Sequence, residues 1–135
     1  MQTKPATTPD AAPTGTETVL VVEDNTEVRE LASATISGLG YRVLEASNGP
    51  AALDILQRDC TIDLLFSDVV LPDGMNGFEL VHKARAVRSG LRALMTSGYA
   101  NIHRPSVDRP DVPLLLKPYR RDELAERIRM ALDRV

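Results

Sequence analysis

The sequence of 135 residues predicts an α/β fold, a single doubly wound sheet of five parallel strands with helices on both faces. Three observations carry this. Short apolar runs, several rich in β-branched residues, alternate with longer segments of helical periodicity. Several runs are apolar at consecutive positions, the pattern of strands buried on both faces. Most runs also give way at their carboxyl end to a charged or small polar residue, and open α/β sheets place their chemistry along that edge.

Residues 1–16 hold Pro5, Pro9, Pro13, Gly15 and five threonines, with no large apolar residue after Met1. They cannot bury enough surface to offset their ordering entropy, and are expected to be a disordered tail or linker ahead of one domain at 17–135. The first strand is Thr18-Val19-Leu20-Val21-Val22, ending at Glu23-Asp24-Asn25. A helix follows, capped by Asn25 or Thr26, with Val28, Leu31, Ala32, Thr35, Ile36 and Leu39 on its inner face and Gly38 and Gly40 at its close. Residues 41–46 alternate as a shorter strand. Ser47 or Asn48 caps a second helix with Ala51, Ala52, Ile55 and Leu56 inward. Residues 62–67 form the third strand, ended by Asp68 and a turn through Pro72, Asp73 and Gly74. The third helix covers about 76–88, with Phe78, Leu80, Val81, Ala84 and Val87 inward. Residues 91–96 are a fourth strand closing on Ser97-Gly98. Pro105, Pro110 and Pro113 then forbid a long helix, so a fourth helix before the fifth strand is expected to be short or disordered. Residues 114–116 are the fifth strand, ending at Lys117-Pro118, and a last helix covers about 121–134 with Leu124, Ile128, Ala131 and Leu132 inward.

The composition narrows the function. A net charge of -3 provides no field for nucleic acid or an anionic membrane, and 4% aromatic residues make a poor base-stacking surface. The arginines of the last helix alternate with acids, as on a solvated face. The lone Cys60 excludes an intrachain disulfide and a multi-cysteine metal site, and suits a reducing cytoplasm. Neither a membrane span nor a secretory signal is visible. His82 and His103 lack partners at ligand spacing and read as surface residues.

In a parallel sheet all carboxyl ends share one edge, so Glu23-Asp24, Asp68, Ser97 and Lys117 can converge. Three carboxylates around one point repel unless a cation lies between them. Hard oxygen ligands with room for water suit Mg²⁺. A carboxylate, a divalent metal, an ammonium and a hydroxyl match phosphoryl transfer onto a carboxylate. In that reading Asp68 attacks and becomes an aspartyl phosphate, the metal and Lys117 neutralise phosphoryl charge, and Ser97 hydrogen-bonds a phosphoryl oxygen.

Four motifs, VLVVEDN (19–25), LLFSDVVLPDGMNGFEL (64–80), ALMTSGYA (93–100) and LLKPY (115–119), resemble the receiver domain of two-component response regulators. The resemblance covers the whole chain from about Thr18. It implies a flavodoxin-like sheet in the order 2-1-3-4-5, and phosphate received on Asp68 from a histidine kinase or phosphotransfer protein. It implies Mg²⁺ held by Glu23, Asp24, Asp68 and the backbone carbonyl of Val70, some through water. Ser97 fits the switch hydroxyl and Lys117 the invariant lysine. The loop after Asp68 is one residue longer than the commonest form and resembles receivers of hybrid histidine kinases. Leu114 stands where the family often carries a switching Tyr or Phe, and Tyr99 is the candidate substitute.

The resulting expectation is a phosphoacceptor signalling module that catalyses only its own phosphorylation and dephosphorylation, with an output protein or attached domain that the sequence does not name. Two other classes compete. A Mg²⁺-dependent aspartyl-phosphate hydrolase needs a second acid close behind the nucleophile, where this chain has Val69 and Val70. An unphosphorylated interaction domain would be expected to have lost Asp24, Asp68 or Lys117, and all three are present.

Overall fold

The computed structural model describes residues 13–98 and 112–133. The elements run β1 (Thr18–Val22), α1 (Thr26–Gly38), β2 (Arg42–Ala46), α2 (Gly49–Arg58), β3 (Leu64–Asp68), α3 (Gly77–Val87), β4 (Arg92–Ser97), β5 (Leu114–Leu116) and α4 (Arg121–Asp133). The strands form one sheet in the order β2-β1-β3-β4-β5, and every adjacent pair is parallel. The expected architecture and strand order are therefore those observed. The proline-rich segment with Tyr99 and His103, in which a short or disordered helix was expected, lies outside the described residues, as do residues 1–12.

The sheet is central because its strands bury both faces. Val19 and Val21 face a core shared with Ile36, Leu39, Leu94, Leu124 and Ile128, under α1 and α4. Leu20 and Val22 face a second core with Leu56, Leu80, Val81 and Met95, under α2 and α3. Alternate residues of one strand thus feed opposite cores, the period of two that a pleated strand imposes.

Three helices begin just past a strand or its loop, and each is capped by an asparagine. The Oδ1 atoms of Asn25, Asn48 and Asn76 accept from the backbone N–H groups of Val28, Ala51 and Glu79 at 2.9, 2.7 and 2.8 Å. Such caps satisfy otherwise orphaned donors and contribute about 1 kcal/mol each. In α3 the Glu79 side chain also accepts from the Asn76 N–H, completing a capping box.

Three helix positions depart from expectation. Val28 and Leu31 are 38% and 70% exposed, and Val87 is 43% exposed. The first turns of α1 overhang the carboxyl edge of the sheet, so only Ala32, Ser33 and Ile36 reach the core from within this helix. Val87 lies in the last turn of α3, where the helix leaves the sheet. Strands β3 and β4 extend one residue further than expected, which makes Asp68 and Ser97 their last residues.

Packing begins ahead of β1. The Gly15 N–H donates to the Leu39 carbonyl at 3.2 Å, and Arg129 of α4 holds the Thr14 carbonyl and the Glu17 carboxylate. Among the described residues, no helix is long and apolar enough to cross a membrane.

Candidate functional site

Parallel register brings the strand ends together. β3 lies between β1 and β4, with Ser67 opposite Val22 and Asp68 opposite Thr96. Ser97 is opposite Leu116, and the backbone N–H of Lys117 donates to the Ser97 carbonyl at 2.8 Å. The peptide between Lys117 and Pro118 is cis.

The centre of the site is the ammonium of Lys117. Its Nζ donates to Glu23 Oε1 at 3.1 Å and to Asp68 Oδ2 at 3.0 Å. Both carboxylates are nearly buried, and the lysine is partly so. Burial pushes the Glu23 carboxyl above its ordinary range, and the neighbouring Asp68 carboxylate pushes it further against the Asn25 N–H and Lys117. Burial pulls Lys117 down, but its hydrogen bonds and charge pairing with Asp68 and Glu23 outweigh that and hold it above its ordinary value. The lysine is therefore a fixed cation at neutral pH.

Glu23 is held from several sides. Its Oε2 accepts from the Asn25 N–H at 3.1 Å, its N–H donates to the Ala46 carbonyl, and its own carbonyl accepts from Arg29 Nη1 at 2.9 Å. Arg29 also pairs with Glu45 of β2 at 3.1 Å. Asp68 Oδ1 accepts from the Val70 N–H at 3.2 Å. Tyr119, two residues past Lys117, packs edge-on against Phe66 with ring centroids 6.4 Å apart. Burial holds its phenol above the usual range.

Of the residues singled out from the sequence, Glu23, Asp68 and Lys117 are in direct contact. Ser97 ends the adjacent strand, fully buried, its hydroxyl facing the Gly98 carbonyl at 3.3 Å. Asp24 is exposed at the rim, and Val70 follows Asp68 on the loop. Among the described residues, no three His, Cys, Asp or Glu side chains form a ready metal cage. Mg²⁺ does not require one, because it binds through one or two carboxylates with carbonyl oxygens and retained waters. Two adjoining carboxylates and a third at the rim are hard oxygen donors of that kind, so the residues fit the ion.

Sequence reading names Asn48 as a helix cap, as observed, but misses its bond to Asp73 and misses Arg29 and Gly77. Gly77 starts α3 so close to β3 that a Cβ there would collide with the Asp68 carbonyl oxygen and the Met95 methyl, and its N–H donates to the Val69 carbonyl at 2.7 Å. The only signal of Gly77 in the sequence is a glycine following a helix-capping asparagine.

Residues 19–129 match the response regulator receiver domain family. The chain belongs to that family. It is 30% identical over 116 residues to the response regulator receiver protein CpdR of Brucella abortus, covering 84% of this chain and 95% of the relative. It is 37% identical over 87 residues to the sensor kinase CckA of the same organism, covering 64% of this chain but 9% of that kinase. The crystal structure of the receiver domain from the hybrid histidine kinase CckA superposes with a TM-score of 0.72 at 35% identity, over 86% of this chain and 99% of that one. A receiver domain protein from Clostridium thermocellum, at 19% identity, shares the fold with a TM-score of 0.79 over 87% and 94%. This receiver domain is thus a module of two-component and phosphorelay signalling.

Proposed function

We propose that Asp68 is the phosphoacceptor of this receiver domain, taking a phosphoryl group from the phosphohistidine of a histidine kinase or phosphotransfer protein. One observation carries the reading: a single buried-edge ammonium, Lys117, bridges Asp68 and Glu23 at 3.0 and 3.1 Å. An oxygen of Asp68 forms a bond to phosphorus as the P–N bond of the donor breaks, and the electron pair returns to the donor imidazole. Lys117 can then shift its N–H bonds from the carboxylate onto a phosphoryl oxygen, where charge builds. The Val70 N–H keeps the carboxylate oriented through Oδ1. Ser97, the last residue of β4, would turn its hydroxyl from the Gly98 carbonyl to a second phosphoryl oxygen. Glu23, Asp24, Asp68 and the Val70 carbonyl would hold Mg²⁺. When bound, that ion supplies neutralisation of phosphoryl charge.

The module turns over no other substrate in this reading. A hydrolase would need a second acid near the nucleophile, and Asp73, the next acid along the chain, is tied to Asn48 at 3.0 Å. Incubation with Mg²⁺ and a small acyl phosphate should add one phosphoryl group, detected by intact mass. Asp68→Asn should abolish the adduct. Labelling that persists in the variant would assign the acceptor elsewhere.

A further inference from the structure

The loop between β3 and α3 carries Val70, and it does not stand alone. Its tip turns through Asp73 at φ 65° and Gly74 at φ 79°. The first is a left-handed conformation that a side chain other than glycine adopts at a cost of about 1 kcal/mol or more. Asp73 Oδ2 accepts from Asn48 Nδ2 at 3.0 Å. The same asparagine caps α2 through Oδ1, so one amide serves the helix with its oxygen and the loop with its nitrogen. Next to it, Met75 lies across Gly49. A Cβ at Gly49 would stand 2.5 Å from the Met75 sulfur and 3.2 Å from its Cβ, so the glycine lets the Met75 side chain lie this close to the start of α2. The loop is thereby fastened to the start of α2 on one side, while on the other its Val70 N–H faces the Asp68 carboxylate.

We infer that Asn48, Asp73, Gly49 and Met75 form a clamp between α2 and this loop, with Asn48 a positioning residue that holds the Val70 backbone for cation binding beside Asp68. The inference rests on the reading above, in which the Val70 carbonyl is a ligand.

Two substitutions separate the clamp from the cap. Asn48→Asp keeps a good helix cap but replaces the donor with a carboxylate facing Asp73. Asp73→Asn keeps tolerance of the left-handed conformation. Made together they exchange the pair, so the carboxylate on α2 accepts from the amide on the loop and the net charge is conserved. Mg²⁺ titration calorimetry should show binding weakened about tenfold in Asn48→Asp, and restored in the exchanged pair. The sign is diagnostic, because an added negative charge would by itself strengthen cation binding. Hydrogen exchange of metal-free protein should show faster exchange at residues 69–76 in the single variant and recovery in the pair. Unchanged exchange with unchanged or tighter Mg²⁺ binding in Asn48→Asp would overturn the inference. A wild type that binds no Mg²⁺ would instead overturn the parent reading of the site, and the exchange rates would then decide whether the clamp exists.

Discussion

At Lys117 one ammonium faces two carboxylates that would otherwise repel each other at short range. Its contribution is mutual: it is held protonated by Asp68 and Glu23, and it holds them together. Removing one partner of such a network leaves the others desolvated without compensation. Lys117→Ala should therefore destabilise the metal-free protein, by about 1–3 kcal/mol once the partial exposure of the lysine is allowed for. Mg²⁺ should restore more stability to the variant than it adds to the wild type, because an ion held by these carboxylates, as proposed above, would replace the missing charge. Urea melts with and without Mg²⁺ measure both effects. Equal stability of variant and wild type in chelator would show that the bridge contributes nothing in solution.

Among the elements, α1 is the one whose departure from its sequence reading has a functional consequence. Val28 and Leu31, taken from periodicity as core residues, instead line a cavity of about 300 Å³ with Ala32, Thr35, Lys117, Pro118, Tyr119 and Arg121. In the function proposed above, a protein donor would bring its phosphohistidine to Asp68 across this edge, and the apolar groove flanking Lys117 is the surface it would cover. Leu31→Glu should lower phosphotransfer from a histidine kinase about tenfold or more, the scale of an interface anchor. Labelling by a small acyl phosphate, which needs no such surface, should be unchanged. Equal loss with both donors would mean that the substitution damages the site itself and that the groove is not a docking surface. At the same scale, Asn76→Ala should cost about 1 kcal/mol through loss of the α3 cap, read from thermal melts.

Across the molecule, Arg129 fastens the segment ahead of β1 to the last helix. Its guanidinium meets Glu17 at 2.5 Å and Asp133 at 2.9 Å. The hydrogen bond from Arg129 holds the Glu17 carboxyl below its ordinary value of 4.5. A depressed carboxyl binds fewer protons in the folded state than in the unfolded one across that window. The stability it contributes is therefore fully present above the unfolded value and is lost as the pH falls through the folded value. Arg129→Ala should cost about 1 kcal/mol at neutral pH, where a charge-assisted bond of this kind is intact. The cost should shrink in acid, where Glu17 is protonated in wild type and variant alike. Denaturant melts at both pH values test this, and a penalty independent of pH would assign the effect of Arg129 to packing.

Strand positions, sheet parallelism and the identities of Asp68, Lys117 and Glu23 are legible in the chain because each depends on short-range pattern. Consecutive β-branched residues make a buried strand, and a carboxylate or ammonium immediately after one lies at the carboxyl edge of the sheet wherever the fold puts that strand. The inner face of α1 was not legible. Helical periodicity reports that Val28, Leu31 and Ile36 share a stripe, but not how far along the helix the sheet extends beneath it. The double duty of Asn48 was equally hidden. Its cap on α2 is a local signal, whereas its partner Asp73 is 25 positions away, and the two meet only because β2 and β3 flank β1 in the folded sheet. Local chemistry chooses the groups at the sheet's carboxyl edge. The loop and helix that hold them at the working distance are set by contacts between segments remote in sequence, and those exist only once the sheet has formed.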